Sequence, residues 1–197
     1  MSDIDVDAGN GDEYVVENAA NLTFAFNDPN STSGFLVPSY YVFAQNDVNP
    51  EEAFSELVFA GSHEATALAV ANNQVDVATN NSESLFEVEK NDAEAFDNIQ
   101  VIWTSPEIPS DPIAYRSDLP DCLKEEIKDF FYSYTDAAVL GALEWSRFDE
   151  VDDTTWNTVR ELNIGKEILE VQNDTSLDDA AKQTKLDELN KQLEAIK

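Results

Sequence analysis

Short apolar runs recur along the first half of the chain, at residues 22–26, 56–60, 75–78 and 100–103, each bounded by polar or turn-forming residues. Runs of this length, rich in Phe, Val and Ile, predict buried strands. Between them the apolar spacing changes to the helical period. Residues 34–44 predict a helix with Pro38 in or near its first turn, where a missing N–H does little harm. Residues 51–57 begin after Pro50 with two acids, a favourable helix opening. Ser62 predicts an N-cap for a helix over 63–72, with Ala67, Leu68, Val70 and Ala71 facing inward. Strands alternating with helices in this way predict an α/β layer with a mostly parallel sheet.

Beyond residue 110 the pattern is different. Asp111–Arg116 predicts one more strand, and helices are expected at about 120–134 and 136–144. In the first of these, Leu123, Ile127, Phe130, Phe131 and Tyr134 recur at helical spacing, and Trp145, Phe148 and Trp156 add large apolar area. Residues 176–197 predict a charged amphipathic helix capped by Ser176, with Asp179 three residues on. Its Leu186, Leu189, Leu193 and Ile196 suit a partner helix. Residues 1–18 are acidic, contain Gly9 and Gly11, and predict a disordered leader.

Charge narrows the function classes. Asp and Glu number 41 against 11 Lys and Arg, a formal charge of −30. Nucleic acid is excluded as a partner because binding it needs clustered cations. An apolar share of 42% with three Trp argues for a folded chain rather than a disordered one. The excess of carboxylates fits an acidic, halophilic-type protein, in which salt screens self-repulsion. The single Cys122 permits no intrachain disulfide. No run is long and apolar enough for a membrane-spanning helix.

The chemistry concentrates at Asn27-Asp28-Pro29-Asn30-Ser31-Thr32-Ser33-Gly34, where the first apolar run gives way to a helix. Three successive hydroxyls, free N–H groups and the positive end of a helix dipole meet there, forming a small oxyanion cradle. It is built on neutral donors, since the first Lys or Arg in the chain is Lys90. His63, the only histidine, opens a second helix. His63-Glu64-Ala65-Thr66-Ala67 has no second histidine and is not a zinc-protease motif. No metal cluster, nucleophile–base pair or phosphate loop with its lysine is legible, so no cofactor and no catalysis are expected.

Asn27–Pro38 with the following Ser39-Tyr40-Tyr41-Val42-Phe43, the stretch from Ser62 to Glu83, and Ile102–Pro106 with Ile108–Pro112 resemble the phosphonate-binding, substrate-binding proteins of ABC transporters. The likeness runs from about residue 19 to the C-terminus. It implies a type II periplasmic-binding-protein-like α/β fold: a ligand-binding lobe at 19–110, then at 111–197 a return strand and the C-terminal helices of an incomplete other lobe. It implies phosphonate contacts from Ser31, Thr32, Ser33 and His63. It further implies that Glu83 and Asp111 hold a ligand amine, which favours 2-aminoethylphosphonate. The implied partners are that phosphonate and an ABC permease, with an extracytoplasmic location, although residues 1–18 do not read as a secretory signal.

The resemblance also implies an N-terminal lobe that this sequence lacks, which a separate chain would have to supply; the aromatic faces at 130–156 would then form an exposed patch. The alternative is a truncated or split gene product without independent transport activity. A phosphate-ester enzyme using Ser31 as nucleophile and His63 as base is a third, disfavoured reading. The charge balance carries its own test. Circular dichroism should show the protein unfolding at low salt and recovering in molar salt; equal structure in both would overturn the high-salt reading.

Overall fold

The computed structural model describes residues 10–196. Phe24 and Phe26 point to one side of a short strand and Ala25 to the other, and this alternation organises the first of two compact units. The strand is β1 (Thr23–Phe26). It lies between β2 (Glu56–Phe59) and β3 (Val77–Ala78), parallel to both, in a three-stranded sheet of order β2-β1-β3. Register is pinned at the strand beginnings. The Asp76 carboxylate accepts from the Thr23 N–H and hydroxyl, both at 2.8 Å, and the Asp76 N–H donates to Thr23 Oγ1 at 2.9 Å.

The chain runs from β1 out to β2, then crosses back past β1 to β3, so its connecting helices cover opposite faces of the sheet. On the Phe24/Phe26 face lies a continuous helix over residues 32–46. It opens with π-type stretches at Thr32–Leu36 and Ser39–Phe43 and tightens to a 3₁₀ turn at Ala44–Asn46. Its Val42 and Phe43 join Phe24, Phe26 and Phe54 in an aromatic core with ring centroids 4.6–5.8 Å apart. On the Ala25 face lies α3 (His63–Ala71), whose Ala69 packs with Ala25 and Val75. Only small side chains meet there, which brings α3 close to the sheet. A short α2 (Pro50–Ala53) precedes β2, and α4 (Ser82–Asn91) and α5 (Ala93–Phe96) follow β3.

Several expectations are corrected. Gly11–Asn18 is not a disordered leader but α1, with Val15 buried in the aromatic core at 3% exposure. Asp12 and Glu13 in its first turn suit the helix dipole, and Gly11 lies so close to Ile102 that a Cβ would sit 2.0 Å from the Ile102 carbonyl oxygen. The expectation for residues 1–9 falls outside the described residues. Residues 100–103 pair with no strand, although Ile102 and Trp103 pack against the core. The helix expected over 51–57 ends at Ala53, because Glu56–Phe59 is needed as an edge strand beside β1. Asp111–Arg116 forms no strand, and its Ile113 and Tyr115 are exposed.

The second unit is Ile108–Asn157. It holds α6 (Asp121–Tyr132), α7 (Ala137–Ala142) and a 3₁₀ turn at Asp153–Trp156. Phe130, Phe131, Tyr134, Trp145 and Phe148 form a ring cluster, while Phe130 and Trp145 remain exposed. The expected division at 111–197 is therefore corrected as well. From Thr158 onward the chain belongs to the first unit. Its α8 (Asn157–Asn173) brings the Gly165 backbone against the Tyr40 ring and Lys166 over Phe35. The last helix, α9 (Asp179–Ala195), is capped by Asp178 and not by Ser176, and buries Leu189.

Phe26 is 1% exposed and touches four other rings. Phe26→Ala should destabilise the protein by about 3–5 kcal/mol, read from a lowered denaturant midpoint.

Candidate functional site

All three strands end at the same edge of the sheet, and each is followed within a few residues by a helix N-terminus. In α/β sheets that edge is where ligands bind. Each of the three starts has its own cap. Ser31 Oγ accepts from the Gly34 N–H at 3.0 Å, Ser62 Oγ from Ala65 at 3.1 Å, and Asn81 Oδ1 from Ser84 at 2.7 Å. Capping satisfies the third N–H of each helix. The first two have no intrahelical partner, so the edge carries a set of backbone donors.

The Gly34 carbonyl ties these starts together. Pro38, four residues on, has no N–H to give it. It accepts instead from the Thr79 hydroxyl at 2.6 Å and from the Asn27 N–H at 3.3 Å. The Asn27 carbonyl in turn accepts from the Gly61 N–H at 2.9 Å, which leads into α3. A Cβ on Gly34 would lie 2.4 Å from Asn27 Cβ, so only glycine allows this approach.

His63 stands in the first turn of α3. Its carbonyl accepts from Asn80 Nδ2 at 2.7 Å and from the Thr66 hydroxyl at 2.9 Å, which fixes the turn from the β3 side. Its ring reaches the cradle: Nε2 lies 3.1 Å from Ser33 Oγ. Nδ1 is buried and has no protein hydrogen-bond partner. Burial lowers the His63 pKa below 6.5, and the nearby Glu83 carboxylate partly opposes that shift. Both effects act on a ring whose neutral form burial favours.

The structure thus brings Ser31, Thr32, Ser33 and His63 to one edge, with Glu83 in the first turn of α4 acting on His63 through its charge. Asp111 lies in the second unit, exposed in a segment without regular secondary structure. Ser31 is committed as a cap, and the hydroxyl facing His63 is that of Ser33, so the Ser31–His63 nucleophile–base pair does not exist. Nor does any carboxylate orient Nδ1, as a catalytic triad would need. A cation does approach in space: Lys166 Nζ stands 5.7 Å from the Phe35 ring centre, already paired with Glu170 at 2.6 Å. Sequence reasoning placed Asn27 in the cradle segment without a role and assigned none to Thr79 and Asn80. Their signal was present as polar residues directly after apolar runs.

The match to known proteins follows the same stretch of chain. A protein-family model described as ABC transporter, phosphonate, periplasmic substrate-binding protein matches residues 8–156. The chain belongs to this family. The family is one of binding proteins, not of enzymes. The phosphonates-binding periplasmic protein of Escherichia coli (strain K12) is 44% identical over 180 residues, covering 89% of this chain and 53% of that protein. A crystal structure of a binding protein component of an ABC phosphonate transporter from Pseudomonas aeruginosa superposes with a TM-score of 0.88 at 42% identity, over 95% of this chain and 63% of that one. PhnD1 from Prochlorococcus marinus (MIT 9301), solved with methylphosphonate, shares the fold with a TM-score of 0.65 at 24% identity, over 78% of this chain and 59% of that one. The chain spans about half the length of the Escherichia coli relative.

The lowered His63 pKa has a signed consequence. The unfolded chain binds a proton at His63 more readily than the folded one. The associated stability is complete above pH 6.5 and declines as pH falls toward the folded-state pKa. An NMR titration should place His63 below 6.5, and Glu83→Gln should move it lower still; a rise in that variant would mean that Glu83 does not act on the ring.

Proposed function

We propose that this chain binds a phosphonate at the C-terminal edge of its sheet, as the solute-binding component of an extracytoplasmic ABC importer. The observation that carries the reading is the Ser33–His63 contact, which joins the hydroxyl-rich helix start after β1 to the helix start after β2. Oxyanion oxygens placed there meet the Thr32 and Ser33 hydroxyls and the free N–H groups of two helices, and charged acceptors make the stronger hydrogen bonds. Ser31 contributes by holding the turn.

The favoured ligand is 2-aminoethylphosphonate, delivered to an ABC permease. Glu83 supports this choice. It lies beside His63, and it also lines a groove of ≈ 650 Å³ between α3 and α4 with Glu64, Glu87 and Asp92, an acidic environment suited to an ammonium group. Asp111 is assigned to the same amine on the family resemblance.

Calorimetric titration of 2-aminoethylphosphonate, with methylphosphonate as comparison, tests the reading in molar potassium chloride. Glu83→Ala and Asp111→Ala should each weaken the amino ligand about tenfold or more and leave methylphosphonate nearly unchanged. Ser33→Ala should weaken both. Equal affinity of the native protein for the two ligands would overturn the amine assignment, and the absence of heat from either would overturn phosphonate binding by this chain.

A further inference from the structure

Three consecutive residues follow β3, and each fastens a different helix start. The Thr79 hydroxyl donates to the Gly34 carbonyl at the opening of the 32–46 helix, 2.6 Å away. The Asn80 amide donates to the His63 carbonyl in the first turn of α3 at 2.7 Å. Asn81 Oδ1 caps α4 by accepting from the Ser84 N–H at 2.7 Å. Ordinary capping accounts for Asn81, and the donor missing at Pro38 accounts for Thr79. Neither accounts for Asn80, because a carbonyl in the first turn of an α-helix has an intrahelical donor of its own.

Both amide hydrogens of Asn80 are used. One goes to the His63 carbonyl and the other to Thr66 Oγ1 at 3.0 Å, while the Thr66 hydroxyl itself donates to the His63 carbonyl at 2.9 Å. At its other end Asn80 Oδ1 accepts from the Asn81 N–H at 3.0 Å. Reversing the amide would set its oxygen against the His63 carbonyl and its hydrogens against the Asn81 N–H, so the orientation is fixed. Thr66 is 0% exposed, and bonds shielded from water in this way are the stronger for it. One side chain therefore bridges the first turn of α3 to the residue that caps α4.

That bridge governs a distance. The His63 ring reaches the cradle from α3, and Glu83 stands in the first turn of α4. Glu83 is exposed, so the α4 start, and not packing around its side chain, places its carboxylate. We propose that Asn80 is a positioning residue that determines specificity: it sets the spacing between the α3 and α4 starts, and with it the length of aminoalkylphosphonate that spans from the oxyanion cradle to Glu83. This rests on the phosphonate and amine readings above, whereas the bridge itself does not. Asn80 acts without touching the ligand, through the two helix starts that do.

Calorimetric titration of aminomethyl-, 2-aminoethyl- and 3-aminopropylphosphonate into the whole chain tests the assignment. The native protein should prefer the 2-aminoethyl compound over both homologues by about tenfold, and Asn80→Ala should reduce that preference to about threefold or less. Thr66→Val removes one partner of the bridge at a fully buried position and should reduce it in the same direction. Val15→Ala, in the aromatic core, controls for lost stability and should leave the preference intact. Equal weakening of all three ligands in Asn80→Ala, or a native protein indifferent to chain length, overturns the assignment. The bridge also has a ligand-free readout. In NMR titrations the fall in the His63 pKa caused by Glu83→Gln should shrink to about half or less when Asn80→Ala is also present. An undiminished fall, or none with Asn80 in place, overturns the spacing role whether or not any phosphonate binds. The absence of heat from every ligand overturns the phosphonate reading and the length selection with it, while the NMR cycle still decides the spacing role.

Discussion

The proposed binding edge of this protein depends on one carbonyl group. The oxygen of Gly34 is deprived of its α-helical donor by Pro38 and receives the Thr79 hydroxyl and the Asn27 N–H in its place. Those bonds fasten the start of the π-type helix to the ends of β1 and β3 at once. Asn27 then passes the restraint on to α3 through its own carbonyl and Gly61. The absence of a side chain on Gly34 lets the backbone come this near, and the wide π-type turns absorb the irregularity that Pro38 introduces. The proposed oxyanion cradle is therefore held in place by contacts made behind it.

A second constraint is the unequal thickness of the two faces of the sheet. Phe24 and Phe26 need a deep apolar layer, which is filled by Val15, Val42, Phe43 and Phe54. Ala25 needs almost none, so α3 lies close on the other side. This closeness carries the first turn of α3 up to the cradle and sets His63 within hydrogen-bond reach of Ser33. A larger residue at position 25 would push α3 outward and separate the two halves of the site. Core packing and site geometry are thus one problem, and the half-buried setting that lowers the His63 pKa follows from the same close packing.

Electrostatics divide the labour across the chain. With a charge of −30, the molecule repels anions at long range, yet the proposed ligand is an anion. The cradle answers this at short range with oriented N–H and O–H dipoles in a partly buried setting, where they are more effective than in water. The acids gathered around Glu83 suit the opposite end of a zwitterion.

Local chemistry made much of this legible in the sequence. The alternation of apolar runs and helical spacing announced a parallel α/β layer, Ser62 announced the start of α3, and Ser31 before Gly34 announced a capped helix start at the end of the first strand. Such signals act over a few residues, through periodicity, capping and the donors a helix start leaves free. Tertiary structure decided the remainder: that Ser33 and not Ser31 meets His63, 30 residues away; that Thr79 holds the Gly34 carbonyl across 45; that Gly11–Asn18 folds onto the aromatic core; and that α8 returns to the first unit. These depend on strand order and on which small side chains let backbones approach, and neither is written in any one local stretch of chain.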